Sequence, residues 1–273
     1  MTTTEPRIIP MGLALNEAMD IAMGLDEKVF LLGEDIAEPS GGVYKITKGL
    51  STKYGTHRVR KTPISEAAII GAAVGAAIAG YKPVAEIMIM DFIAVCLDQI
   101  TNHAAKIRYM SGGQTTVPMV IRTSAGAGRQ FGAQHSEMLE AWAVHTPGLK
   151  VVVPSNPADA KGLLISSIFD PDPVLFVEPM LMYWDPQYAC DVPVGDNRIP
   201  LGKANIVREG KDVTVISYGK QVHDAVKAAD ILAGEGVSVE VIDLRTLVPL
   251  DEATVLASVS KTKRAVVVHE AVT

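Results

Sequence analysis

Aromatic residues are scarce in this chain of 273 residues: 5 Phe, 7 Tyr and 2 Trp amount to 5%. A core built with so few rings packs instead on Ala, Val, Ile, Leu and Met. That suits parallel strands buried on both faces and helices in close contact. Cysteine is limited to Cys96 and Cys190, a pair that fits no metal-ligand spacing and demands no disulfide. Cys96 falls in a helical apolar pattern and reads as a small hydrophobe. Sparse, unpaired thiols point to a reducing, cytoplasmic setting. Basic residues are outnumbered, 25 Lys and Arg against 31 Asp and Glu, for a net charge of −6. No general electrostatic drive toward nucleic acid or an anionic membrane follows. The longest apolar stretch, Ala67 to Tyr81, falls short of the roughly 20 residues a spanning helix needs. No Gly-x-Gly-x-x-Gly turn follows a first strand, which argues against a simple nucleotide-binding α/β protein. The polar stretch Met1 to Pro10 has no charged-then-apolar leader and reads as a loose arm.

What is present is apolar. The hydrophobic fraction is 48% and the mean hydropathy +0.22, which suits a protomer that hides surface in an oligomer. Strand-like and helix-like runs alternate. Strands are expected at Val29–Leu32, Val84–Ile89, Val117–Ile121, Val151–Val153 and Val174–Val177. Helices are expected at Ser65–Gly80, Asp91–Tyr109, Ser136–His145 and Asp159–Phe169. The fold class is therefore α/β, with a parallel sheet flanked by helices. Pro179 to Pro200 loses periodicity and is rich in Pro, Asp and Tyr, so the chain crosses there to a second unit. That unit carries strands at Val213–Ser217, Val237–Ile242 and Ala265–Val268, with helices at Gln221–Ala233 and Asp251–Ser260. The expected division is 1–185, a linker 186–203, and 204–273.

The most telling stretch is Thr62-Pro63-Ile64-Ser65-Glu66, which opens a helix of Ala, Gly, Ile and Val. Alone it reads equally well as an N-cap Ser65 followed by an acid complementing the helix dipole. It does not stand alone. Pro83-Val84-Ala85-Glu86-Ile87-Met88-Ile89-Met90-Asp91-Phe92 follows, then Asp98-Gln99-Ile100 and Arg108-Tyr109-Met110-Ser111-Gly112-Gly113. Gly126-Ala127-Gly128 and Ala133-Gln134-His135-Ser136 come next. From about Gly12 to the last residue this ordered set resembles the beta subunit of thiamine-diphosphate-dependent 2-oxo acid dehydrogenases, the pyruvate, branched-chain and acetoin dehydrogenases. One departure is Lys61, where many relatives carry Asp.

The resemblance implies a pyrimidine-binding domain followed by a C-terminal domain of transketolase type, the latter ending early with three strands. It implies that Glu66 holds the pyrimidine ring of thiamine diphosphate, that Phe92 stacks on that ring and that Met88 packs nearby; core packing is the alternative for both. It places His135 at the active-site mouth, as a proton donor in acyl transfer to lipoamide; the alternative is a surface loop histidine. Glu34 matches an acid lining a passage between paired active sites, or is a solvated strand end. Gly71 and Gly75 read as a small-residue contact in the core or at a subunit interface. No Gly-Asp-Gly with a following Asn is present to hold magnesium and the diphosphate, and no other residues offer a metal site. The resemblance assigns that half to an alpha subunit. Implied partners are this alpha subunit, a second beta chain and a lipoyl acyltransferase core. Two other functions remain: one half of a split transketolase-like enzyme, and a non-catalytic interaction subunit.

Overall fold

Small and branched side chains dictate close layers, and the chain builds two sheets from them. The computed structural model describes residues 6–272. Strand β1 (Ile8–Ile9) is followed by helix α1 (Met11–Leu25), strand β2 (Val29–Gly33), helix α2 (Leu50–Tyr54) and strand β3 (Val59–Lys61). Helix α3 (Glu66–Ile78), strand β4 (Lys82–Ile89) and the short helices α4 (Ile93–Asp98) and α5 (Ile107–Met110) come next. Strand β5 (Val120–Ala125), helix α6 (Glu140–Val144), strand β6 (Lys150–Val152), helix α7 (Pro157–Ile168) and strand β7 (Val174–Pro179) complete the first unit. Beyond it lie strands β8 (Cys190–Asp191), β9 (Asn205–Arg208) and β10 (Val213–Ser217) and helix α8 (Gln221–Ala233). Strands β11 (Val239–Asp243) and β12 (Thr246–Val248), helix α9 (Glu252–Thr262) and strand β13 (Ala265–Val268) end the chain.

The main sheet runs β12-β6-β7-β5-β4-β2-β3. It is parallel except for β12, which pairs antiparallel with β6. Helices α1 and α7 cover one face, with Met11, Leu15, Met19, Leu163 and Phe176 in the core. Helices α3 and α4 cover the other, with Ile70, Ala73, Ile87, Ile93 and Ile121. Such a double cover explains why the strands read as near-continuous apolar runs. Helix α7 starts cleanly: the Asn156 side chain accepts the Asp159 N–H at 2.8 Å and Pro157 takes the first turn. The second sheet is β13-β10-β11-β9, with β9 antiparallel.

Several elements differ from expectation. The arm before α1 is not loose where it is described: Ile8–Ile9 pairs with β8, and the Arg7 guanidinium grips Glu17 at 2.5 and 2.7 Å; residues 1–5 lie outside the described residues. The helix expected over Asp91–Tyr109 is a 3-10 turn (Met90–Phe92), α4, a π turn (Gln99–Ala104) and α5. The Ala105 carbonyl is pressed against Gly148, where an added Cβ would stand 2.0 Å from its oxygen. The strand expected at Val117–Ile121 begins only at Val120, because Pro118 has no N–H to donate. The helix expected from Ser136 shortens to Glu140–Val144. The Pro179–Pro200 stretch is not simple crossing chain in its first half: Met180, Met182, Tyr183 and Tyr188 are buried in the α1–α7 core. In the second unit, β9 adds a fourth strand, and β12 returns to edge the first sheet.

Gly148 carries a testable consequence. Its φ is +104° and the obstructing atom is backbone, so Gly148→Ala meets both strain and a clash that no rotamer relieves. We expect a loss of roughly 2–4 kcal/mol in denaturant unfolding. An unchanged midpoint would refute this reading of the contact.

The two units are joined by a buried polar cluster. Ser155 donates its hydroxyl to Asp243, and the Arg245 N–H donates to the other Asp243 oxygen at 3.0 Å. Arg245 also grips Asp159 at 2.7 and 2.8 Å. His223 Nε2 lies 2.6 Å from the Ser155 carbonyl. Burial, with the Asp159 charge adding, pushes the Asp243 carboxyl up to about 7. The folded state thus holds a proton that the unfolded chain has lost between about pH 4 and 7. Stability from this group is full below the unfolded value and falls as pH rises through 7, at most by about 1.4 kcal/mol per pH unit. Asp243→Asn should flatten that slope in unfolding measured from pH 4.5 to 7.5; an unaltered slope would show that Asp243 is not its source.

Candidate active site

The order of the main sheet reverses between β2 and β4: the chain leaves β2 outward to β3, then returns past it to β4 and β5. Parallel sheets open a crevice outside the carboxyl ends of their strands at such a point. Glu34 follows β2, Glu66 follows β3, and Met88 to Phe92 span the end of β4 and the 3-10 turn after it. Three connections therefore deliver the expected residues to one end of the sheet.

Glu66 is the first residue of α3. Its carboxylate is half-buried and, among the described residues, has neither a hydrogen-bond nor an ion-pair partner. An acid held at a helix N-terminus with its oxygens free is an acceptor for an incoming N–H. Its charge is felt nearby. Burial, then the Glu66 charge, raises the Glu34 carboxyl above the usual range. The Cys96 thiol is likewise pushed up to about 12 by burial and by Glu66, so Cys96 is an inert wall.

At the end of β4 the pairing with β5 slips between Ile87 and Ile89, so Met88 is the extra residue of a bulge. Ser124 pins it there by donating its hydroxyl to the Met88 carbonyl at 2.6 Å. Phe92, at the end of the following 3-10 turn, meets His135 edge-on, with ring centroids 5.3 Å apart and planes at 84°. The structure thus brings Phe92 and His135 together across 43 residues of chain, a span read from their numbers. Glu66 hydrogen-bonds to neither; it stands with Glu34 and Cys96. The Gly71 side of α3 faces Gln99, 3.4 Å from where a Cβ would be, while Gly75 opens on nothing within 4 Å.

Below the crevice lies a buried ion network that sequence reading missed. Arg122 on β5 donates to both Glu178 oxygens at 2.7 and 2.8 Å and to Glu86 at 2.8 Å. Tyr183 donates its hydroxyl to Glu178 at 2.6 Å. Burial raises the Glu86 carboxyl and the Tyr183 phenol, against the pull of Arg122. The signal was available: Glu86 inside β4, Arg122 in β5 and Glu178 in β7 each interrupt an apolar run. Glu86 pairs directly with Arg122 in register, and Glu178 stands two residues further along the third strand, opposite Ser124. Among the described residues no group of three His, Cys, Asp or Glu side chains converges to hold a metal. No helix there is long and apolar enough to cross a membrane.

Comparison with known proteins identifies the two domains. The family described as the transketolase pyrimidine binding domain matches residues 8–184, and the transketolase C-terminal domain matches residues 202–273. The beta subunit of acetoin:2,6-dichlorophenolindophenol oxidoreductase from Cupriavidus necator is 52% identical, over 97% of this chain and 80% of its own. The pyruvate dehydrogenase E1 component subunit beta of Acholeplasma laidlawii is 49% identical, again over 97% and 80%. The mitochondrial 2-oxoisovalerate dehydrogenase subunit beta of Dictyostelium discoideum is 49% identical, over 94% and 69%. A solved structure described as a split gene transketolase, inactive beta4 tetramer, shares the fold with a TM-score of 0.78 at 24% identity, over 96% of this chain and 79% of that one. This chain belongs to the family of beta subunits of 2-oxo acid and acetoin dehydrogenases, built on the transketolase pyrimidine-binding and C-terminal domains.

Proposed function

We propose that this chain is the beta subunit of a thiamine-diphosphate-dependent dehydrogenase that oxidatively decarboxylates a 2-oxo acid or cleaves acetoin and passes the acyl group to lipoamide. The observation that carries the reading is the unpartnered Glu66 carboxylate at the mouth of the β2–β4 crevice. When bound, thiamine diphosphate supplies the nucleophilic carbon and the electron sink that this chemistry needs. Glu66 would hold the pyrimidine ring by accepting a hydrogen bond from a ring N–H, with its charge favouring that protonated ring nitrogen. Phe92 offers an aromatic face to the same ring, and Met88, set out of register by the bulge, closes the pocket beside it. His135, oriented by its contact with Phe92, donates a proton at the mouth during acyl transfer.

The residues present fit a ring and not a phosphate. An acid, an aromatic and a thioether suit the pyrimidine end, whereas the diphosphate and magnesium need oxygen ligands that an alpha partner contributes. The assembly is two alpha and two beta chains that dock on a lipoyl acyltransferase core, in the cytoplasm, where the free thiols Cys96 and Cys190 stay reduced.

Titration calorimetry with thiamine diphosphate and magnesium tests the reading. Binding is expected only when the chain is mixed with its alpha partner, and is expected to vanish with Glu66→Ala. A stable alpha–beta mixture that binds no thiamine diphosphate would instead identify a non-catalytic interaction subunit.

A further inference from the structure

The segment between Gly126 and Glu140 carries His135, yet has few bonds of its own. Ser136 donates its hydroxyl to the Gly132 carbonyl at 2.9 Å, and Arg129 donates to the Met180 carbonyl at 3.2 Å. The Glu137 N–H reaches Asp91 at 3.4 Å. The second unit holds both ends of this segment. At the start, the Ala127 N–H donates to Glu270 Oε1 at 2.6 Å, and Gln221 steadies the other Glu270 oxygen at 3.3 Å. Gly126 has a φ of +101°, and a Cβ there would lie 3.1 Å from Glu270 Oε1, so the backbone closes directly onto the carboxylate.

At the far end, Tyr218 donates its hydroxyl to the buried Glu140 at 2.6 Å. Burial and this bond raise the Tyr218 phenol, which therefore remains the donor. The Tyr218 ring stacks on His269, with centroids 6.1 Å apart and planes at 9°. Ser217, beside it, donates its hydroxyl to the Val268 carbonyl at 2.9 Å. Tyr218 follows β10 and Glu270 follows β13, and these strands pair at Ser217 and Val268, so the two attachments leave neighbouring strand ends.

We infer that Glu270 and Tyr218 are positioning residues: from the second unit they fix the two ends of the 126–140 segment and so set where His135 stands against Phe92. The inference rests on the reading of His135 given above. It assigns the second domain a part in acyl transfer without placing any of its residues on the reacting atoms.

Amide exchange of residues 127–138 in the full chain is the direct test. Glu270→Ala and Tyr218→Phe should each speed it at least about tenfold, and Glu270→Gln, which keeps the acceptor, should restore protection. In the assembled enzyme, Glu270→Ala should slow lipoamide acylation by roughly tenfold to a hundredfold while the rate with 2,6-dichlorophenolindophenol, which needs no lipoamide, stays at the unmodified level. Unchanged exchange in both variants overturns the inference whatever the rates do. Faster exchange with an unchanged lipoamide rate overturns the link to His135. His135→Ala measured alongside separates the two ideas: if that variant acylates lipoamide normally, the role given to His135 itself fails.

Discussion

In the assembled alpha–beta enzyme, Glu66→Ala removes turnover by a factor on the order of 10² to 10⁴ and leaves the chain folded. The two halves of this expectation have one cause. Glu66 makes no hydrogen bond or ion pair among the described residues, so its removal costs the packed chain only its interaction with the start of α3, about 0.3–1 kcal/mol, and relieves its repulsion of Glu34. On the function proposed above, its remaining worth lies in what it meets from outside. A plain first-turn acid would give the opposite pattern, a small stability change with no kinetic one. Glu66→Gln sharpens the point, because it keeps the shape and an acceptor oxygen but discards the charge that the proposed role requires. Measuring kcat with an artificial electron acceptor beside a thermal melt of each variant decides the matter; turnover within threefold of the unmodified enzyme would sink the assignment.

How much of this was legible in the sequence depends on the range of the interactions concerned. The α/β class was legible because alternation and apolar runs are local, and α3 was legible because its small residues and its opening Glu66 are adjacent in the chain. Helix α1 was equally legible and went unread: Met11, Ala14, Leu15, Ala18, Met19, Ala22 and Met23 are all buried at helical spacing. The break in the helix after Asp91 was not legible, because no Pro or Gly marks it anywhere between Asp91 and Tyr109. The three-residue β12 carries no period to read and is defined only by its partner β6. At the site, the motifs named the residues but not their company. The Phe92–His135 contact, the Met88 bulge and the Glu270–Ala127 bond each join segments whose meeting is a property of the sheet order.

Arg122 shows the same division in energetic form, and Arg122→Met is expected to cost about 3–5 kcal/mol. The guanidinium is 2% exposed and serves two carboxylates at once, fork to fork with Glu178 and by its remaining nitrogen with Glu86. Deleting it leaves two acids beside each other under the crevice, with Tyr183 able to satisfy only one oxygen of one of them. Buried without a cation, these carboxyls take up protons more readily when folded than when unfolded. The deficit of Arg122→Met should therefore be largest near neutral pH and shrink as pH falls toward 5, since a raised folded-state pKa costs stability as pH rises through it. The triple change Arg122→Met, Glu86→Gln, Glu178→Gln removes every charge and should recover much of the loss, for the attraction in a buried pair largely offsets the cost of desolvating it. Arg122→Lys keeps the charge but loses the planar fork, and should fall between. Denaturant unfolding of the four proteins at pH 5 and 7.5 reads all of this. A deficit in Arg122→Met that does not depend on pH would mean the cost is lost packing alone, and the network would then be a filler of space below the site and not its electrostatic floor.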